Sequence, residues 1–431
     1  MARNTAFFNG LFAPFGLMYQ DYFWMASFLF SEREKNRRVS VNYLIIGNGV
    51  AGIEAALAIR ETDRSASVRV ISRSTHPFYY RPRLVDFIKE DLGVRMLYAH
   101  QDEFWAEEGI EVVQGIEAVK VHSHSRKVDC VDGSEFSFDR MLIAVGADPN
   151  MPPFDNSSME GVFSLRGISS AERLRACCKG KNDIVIAGAG LLGIEIAHAL
   201  STSCGRITVI DVEPYLLPRQ LDRDGAECLR GILESRGLRF LFGDTVSGVD
   251  GSGRVERVLL KSGSVLPADA LIVSAGVHAR TEFALNSGIS VNKGIIVDNT
   301  MRTSMSNVYA AGDCAEHGGV CYGLWTIAKE QGRIAGLNMA GVKSEYPGSV
   351  PSASLKVTGV DVFSAGNISA DGGTVLTRSG EGTYSRIVFD GNLAAGAVVV
   401  GDSAVVREAR KAMAGKIGPG EMRKIMEGER K

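Results

Sequence analysis

Two stretches of this chain repeat one short pattern: an apolar run, three glycines spaced G-x-G-x-x-G, and a helical apolar pattern. The first, NYLIIGNGVAGIEAALAIR, spans 42–60; the second, DIVIAGAGLLGIEIAHAL, spans 183–200. Tyr43–Ile46 and Ile184–Ala187 read as buried parallel strands, bounded at once by a turn. Gly47 and Gly188 permit the tight turn. Gly49 and Gly190 let backbone approach a pyrophosphate, and Gly52 and Gly193 let helix lie close to strand. Val50-Ala51 and Leu191 sit where each turn runs into its helix, the second of which is expected to open at Ile194, and they offer free N–H groups and a positive dipole end to an anion. One such run is weak evidence. Two, each with a strand before and a helix after, predict a pair of dinucleotide-binding folds.

Each unit has a second strand: Val68–Ser72 after a turn at 63–66, and Ile207–Ile210, which ends in Asp211. An acid at that distance beyond the turn accepts hydrogen bonds from an adenosine ribose 2′-hydroxyl and repels a 2′-phosphate. NADH is therefore expected over NADPH. Further on, residues 299–313 read NTMRTSMSNVYAAGD. The apolar strand Val308–Ala311 ends at Gly312-Asp313, and a carboxylate there can reach a flavin ribityl hydroxyl.

The chain's 431 residues exceed one compact core and suggest two or three domains. A formal net charge of −2 and no long block of like charge argue against nucleic acid as a partner. The seven cysteines are odd in number, scattered and without C-x-x-C, which fits free thiols in a reducing cytoplasm. No histidine and acid pair shows metal-ligand spacing. Residues 1–40 stand apart. The segment is rich in aromatics such as Phe7, Phe8 and Trp24, yet Asn9, Pro14, Gly16, Gln20 and Asp21 interrupt it too often for a membrane span. It reads as a disordered extension or an upstream start, with an interfacial anchor as the alternative.

With both glycine turns and the Gly312-Asp313 strand end in place, the chain resembles the glutathione-reductase-like flavoprotein reductases with two dinucleotide domains. The segment Arg140–Gly146 is similar to that family's crossing back into the FAD domain. His76–Leu84 (HPFYYRPRL), Leu324-Trp325 through Ala335, Asn338–Gly341 and Leu355–Gly366 (LKVTGVDVFSAG) narrow the likeness to NADH:rubredoxin reductases and the N-terminal part of assimilatory nitrite reductase. The resemblance covers about residues 41–397. It implies an α/β fold with two Rossmann-like domains: FAD-binding from 41–150 and 276–343, NADH-binding from 151–275. A small C-terminal α+β domain, 344–431, then covers the flavin or builds a homodimer face. Short strands Ser354–Val357, Tyr384–Phe389 and Leu393–Val400, a turn at Asp390-Gly391-Asn392 and a helix Ser403–Ala414 are expected there.

Carried over position by position, the resemblance gives FAD contacts at Gly49–Gly52, Arg73, Arg81, Val119 by backbone, Gly146, Gly312, Asp313, Trp325 by backbone, and Lys356. Gly276 marks the return from the NADH domain. Arg73 departs from the family, which usually has an acid there. Glu195, just after the second turn, matches a glutamate near the nicotinamide–flavin contact, although its twin Glu54 keeps an ordinary helix position in play. The stretch 72–95 holds no cysteine to face the flavin, so no thiol relay is expected. Cys314 and Cys321 read as packing thiols. The expected chemistry is hydride transfer from NADH to FAD, with Arg81 or Lys356 balancing charge on the reduced ring. Electrons then pass to a small iron protein such as rubredoxin. The alternatives are an NADH oxidase or diaphorase using oxygen or quinone, and a flavoprotein subunit of a larger reductase. Iron–sulfur and haem segments do not follow, so nitrite reduction by this chain alone is not expected.

Overall fold

In the computed structural model, residues 40–90, 92–357, 359–369 and 373–428 are described. The N-terminal extension (1–39) therefore lies outside the described residues. The first glycine turn leaves the middle of a five-stranded parallel sheet. Its order is Val308–Ala310, Arg140–Ile143, Asn42–Ile46, Ser67–Ser72 and Ile110–Gln114. The second leaves the middle of another parallel sheet, ordered Leu238–Phe242, Arg206–Asp211, Asp183–Ala187, Ala270–Val273 and Val162–Phe163. These inner strands are buried on both faces, which is why they read as apolar runs rather than alternating ones. A turn leaving the carboxyl end of a central strand opens where connections diverge to opposite sides, the usual ligand crevice of such sheets.

The internal repeat runs further than the glycines. In each half a three-stranded antiparallel meander follows the edge strand and precedes the return to the parallel sheet: Ala118–His122 with Lys127–Cys130 and Glu135–Ser137, then Val246–Asp250 with Arg257–Leu260 and Val265–Pro267. The chain crosses between halves twice, and the crossings pair with each other. Ala147–Pro149 and Val277–Ala279 form an antiparallel ribbon.

The helix of the first turn, Val50–Thr62, packs on Trp325–Met339, far along the chain. Two glycines make this approach close. A Cβ on Gly332 would stand 2.2 Å from the Ala51 carbonyl oxygen, and one on Gly336 would stand 2.5 Å from that of Ala55. Any larger residue would push these helices apart.

The C-terminal sheet is antiparallel, ordered Ser352–Val357, Val360–Gly366, Leu393–Val400, Thr383–Asp390 and Thr374–Gly380. Alternation divides its residues between two cores. Phe363, Ile387, Phe389 and Val399 pack with helices Ser403–Met413 and Pro419–Met426. Leu355, Val357, Val362, Tyr384 and Val400 join the core of the second parallel sheet. The buried Tyr384 hydroxyl donates to Asp222, which also caps the helix Arg223–Ser235. The helix after the second turn begins at Leu191, three residues before the expected Ile194, because the end of the glycine turn is already helical. The strands Val360–Gly366 and Thr374–Gly380 and the helix Pro419–Met426 add to the elements the sequence predicts there. Among the described residues, no helix is long and apolar enough to cross a membrane.

Candidate active site

Gly47 leaves its strand at φ 115° and Gly188 at φ 120°, a conformation L side chains rarely adopt. Their successors pack back on them. A Cβ on Gly52 would meet the Gly47 oxygen at 1.9 Å, and one on Gly193 would meet the Gly188 oxygen at the same distance. The middle glycines differ in kind. A Cβ on Gly49 or Gly190 meets no protein atom within 4 Å. It would project into the open space before a helix start. Neither helix has a side-chain cap or an acid in its first turn, so its leading N–H groups remain available to an anion. These cradles fit a dinucleotide diphosphate.

A cleft of about 1270 Å³ joins the first turn to the second helix. Gly47, Gly49, Val50, Ala51, Arg73, Arg81, Val119, Gly146, Gly312, Asp313, Trp325 and Glu195 all line it. No cysteine is among its described lining residues. Gly52, Gly188, Gly190, Leu191, Gly193, Asp211 and Gly276 lie outside that lining. Lys356 sits on the first C-terminal strand, opposite Asp361 in register, and its side chain lies outside the described residues.

Asp211 is fastened to its own turn. One carboxylate oxygen accepts the Ala189 N–H at 2.6 Å and the other accepts the Glu213 N–H at 3.0 Å. This fixes the acid at the strand end beside the second cradle. Gly312, at φ 81°, donates its N–H to the buried Gln331 side chain at 2.9 Å, which locks the turn that presents Asp313. The helix Trp325–Met339 points an uncapped start, again without a first-turn acid, at the same cleft.

The residue that sequence reasoning missed is Arg166. It comes from the loop between strand Val162–Phe163 and helix Ile168–Cys178, yet it reaches Asp313 at 3.1 Å. Burial, and then the neighbouring Arg81, pull its guanidinium below the ordinary value, while Asp313 opposes the shift. A lone arginine inside VFSLRG carries one faint signal, a charge set among apolar residues. Arg280 completes the cluster by donating to Asp148 at 2.7 Å and to the Val145 oxygen at 3.1 Å, bracing the crossing ribbon. Its hydrogen bonding holds the Asp148 carboxyl below the usual range. At the other end of the cleft Glu195 is mostly buried. Burial, with Asp86 adding to it, raises its carboxyl to about 7. Cys314 is fully buried and its thiol is pushed up to about 11 by burial, as suits a packing role.

A profile of the pyridine nucleotide-disulphide oxidoreductases matches residues 41–332. The chain belongs to this family. Within it, residues 351–417 match the rubredoxin NAD+ reductase C-terminal domain. The assimilatory nitrate reductase electron transfer subunit of Bacillus subtilis is 32% identical over 365 residues, covering 84% of this chain and 47% of the relative. NADH-rubredoxin oxidoreductase of Clostridium acetobutylicum is 29% identical over 375 residues, covering 87% of this chain and 94% of its own length. The fold is shared with the ferredoxin reductase for the CYP199A2 system from Rhodopseudomonas palustris. The two superpose with a TM-score of 0.82 at 23% identity, covering 90% of this chain and all of that one. The chain spans less than half the length of the first two curated relatives it matches, 47% and 45%.

Proposed function

We propose that this oxidoreductase takes hydride from NADH into a bound FAD and delivers the electrons to a small iron protein of the rubredoxin type. The observation that carries the proposal is the continuity of one cleft from the Gly49 cradle, past Asp313, to Glu195 on the helix of the second cradle. When bound, FAD accepts a hydride and gives up electrons singly.

The residues divide the work. Gly49, Val50 and Ala51 hold one diphosphate, and Gly190 and Leu191 hold the other. Asp313 accepts from the ribityl chain, and Asp211 accepts from the NADH ribose, disfavouring NADPH. Gly146 and Gly276 set the crossings that bring both ligands to one cleft. Arg81, Arg166 and the start of helix Trp325–Met339 place positive potential beside the flavin site, where reduction adds negative charge. Lys356 joins this set by resemblance alone. Glu195, with its carboxyl near neutrality, holds or releases a proton at the nicotinamide end. With no cysteine in the described lining, electrons leave without a thiol relay. The C-terminal match to the rubredoxin reductase domain supports an iron protein as acceptor. A cytoplasmic setting, suggested by seven unpaired cysteines, belongs to the same proposal.

The test is anaerobic stopped flow. Mixing the flavin-loaded protein with NADH should bleach the visible flavin band, and oxidised rubredoxin should then restore it. Restoration only by oxygen or a quinone would replace the acceptor with that of an oxidase. Absence of bleaching would leave a flavoprotein subunit without turnover of its own.

A further inference from the structure

In the second parallel sheet Ile210 pairs with Ala187, and Asp211 follows as the strand-end acid. The same register in the first sheet pairs Ile71 with Ile46, which puts Ser72 where Asp211 stands. Ser72 is buried and its hydroxyl is committed. It donates to the Asn48 side-chain oxygen at 2.8 Å and accepts the Ser74 N–H at 3.1 Å. Arg73 comes next and is a cation. The strand end therefore offers no carboxylate to a ribose.

A carboxylate stands directly across from it. Gly115 donates its N–H to the Ser74 oxygen at 3.1 Å, and Ile116 donates to the Ser72 oxygen at 2.9 Å. These bonds clamp the exit of strand Ile110–Gln114 against the end of Ser67–Ser72. Glu117 emerges at that point. Its carbonyl accepts the Val131 N–H at 2.9 Å, and its carboxylate accepts from Arg73 Nη1 at 3.2 Å. Both side chains line the cleft with Val119 and Val131, and both are about half exposed, so a ligand can reach them.

We propose that Glu117 accepts the adenosine ribose hydroxyls of FAD, with Arg73 positioning its carboxylate; this rests on the reading that the first glycine turn holds FAD. An ionised carboxylate has about four acceptor sites. One bond to Arg73 leaves capacity for two neighbouring hydroxyls. The arginine at the departing position then has a use: it orients an acid supplied by the link between strands Ile110–Gln114 and Ala118–His122.

The experiment titrates apo-protein with FAD and with an FAD analogue whose adenosine lacks the 2′-hydroxyl, following quenching of flavin fluorescence. The original chain should bind FAD about tenfold more tightly than the analogue, the usual scale for a hydrogen bond to a charged group. Glu117→Ala should bind FAD about tenfold more weakly and lose the discrimination between the two ligands. The ratio is internal to each variant, so a partly misfolded sample does not change it. Discrimination that survives in Glu117→Ala would overturn the proposal. So would discrimination that disappears in Arg73→Ala but persists in Glu117→Ala, since the contact would then belong to the guanidinium. If the original chain binds neither ligand, the FAD reading falls and takes this one with it. If Gly49→Val abolishes FAD binding while Glu117→Ala behaves as the original chain, only the present proposal falls.

Discussion

Arg166 and Asp313 are 147 positions apart and meet at 3.1 Å, each side chain only 20% exposed. The arginine belongs to a segment that leads into the second parallel sheet, and the aspartate ends a strand of the first. Their ion pair ties the two halves at the place where the ribityl chain is expected. Arg166→Ala and Asp313→Ala should each weaken FAD binding by about ten- to a hundredfold, as loss of a charge-assisted bond does. The double variant should be little worse than the poorer single one, because the residues act as a unit. Fluorescence titration of the four proteins measures this, and fully additive losses would separate the pair.

The three glycines of the first turn should fail in different ways. Gly49→Val places its Cβ where no protein atom lies within 4 Å, so the fold should melt near normally while FAD is lost. Gly52→Ala drives a methyl into the Gly47 carbonyl and should cost at least about 2 kcal/mol of stability even without ligand. Thermal melts of the two apo-proteins distinguish a ligand-facing glycine from a packing one. Full flavin occupancy in Gly49→Val would remove the first turn from the site.

Asp211→Arg should turn the preference from NADH toward NADPH, by replacing repulsion of a 2′-phosphate with attraction. The aspartate also accepts the Ala189 and Glu213 N–H groups, so some loss of affinity for both nucleotides should accompany the switch. Steady-state kcat/KM for the two coenzymes reads the ratio. An unchanged ratio would take Asp211 out of the ribose contact.

Glu195 should make the protein's stability fall as pH rises. Its folded carboxyl titrates near 7, above the ordinary value of 4.5. Below about pH 4.5 it is protonated in both states and costs nothing; between there and pH 7 the unfolded chain gains by ionising first. The penalty reaches at most about 3 kcal/mol above pH 7. Glu195→Gln should therefore melt higher than the original chain at pH 8 and alike at pH 4.5. Equal melting temperatures at both would mean that the carboxylate is solvated.

The glycine units were legible because strand, turn and helix each leave a local mark: an apolar run, fixed glycine spacing, and helical periodicity. Ile46 and Ile71, or Ala187 and Ile210, then find each other through parallel pairing that the pattern already implies. What escaped reading depends on contacts between distant segments. The ribbon of Ala147–Pro149 with Val277–Ala279 is built from three-residue strands too short to show a period. Arg166 gains its meaning from Asp313, which no local rule connects to it. Glu117 looks like any charged residue until its neighbours at the end of strand Ser67–Ser72 are known. Gly332 and Gly336 were readable in principle, since two glycines four apart mark one helix face, but only the structure identifies Val50–Thr62 as what lies against that face.

That last contact has a consequence for how the chain comes into being. Helix Val50–Thr62 is synthesised early, yet the helix that seats against Ala51 and Ala55 ends at Met339. The second parallel sheet, by contrast, draws all its strands from residues 162–273. As the polypeptide leaves the ribosome, the inserted half has every strand it needs while the first half still waits for a partner. The flavin cradle is begun before the inserted half and closed only after it.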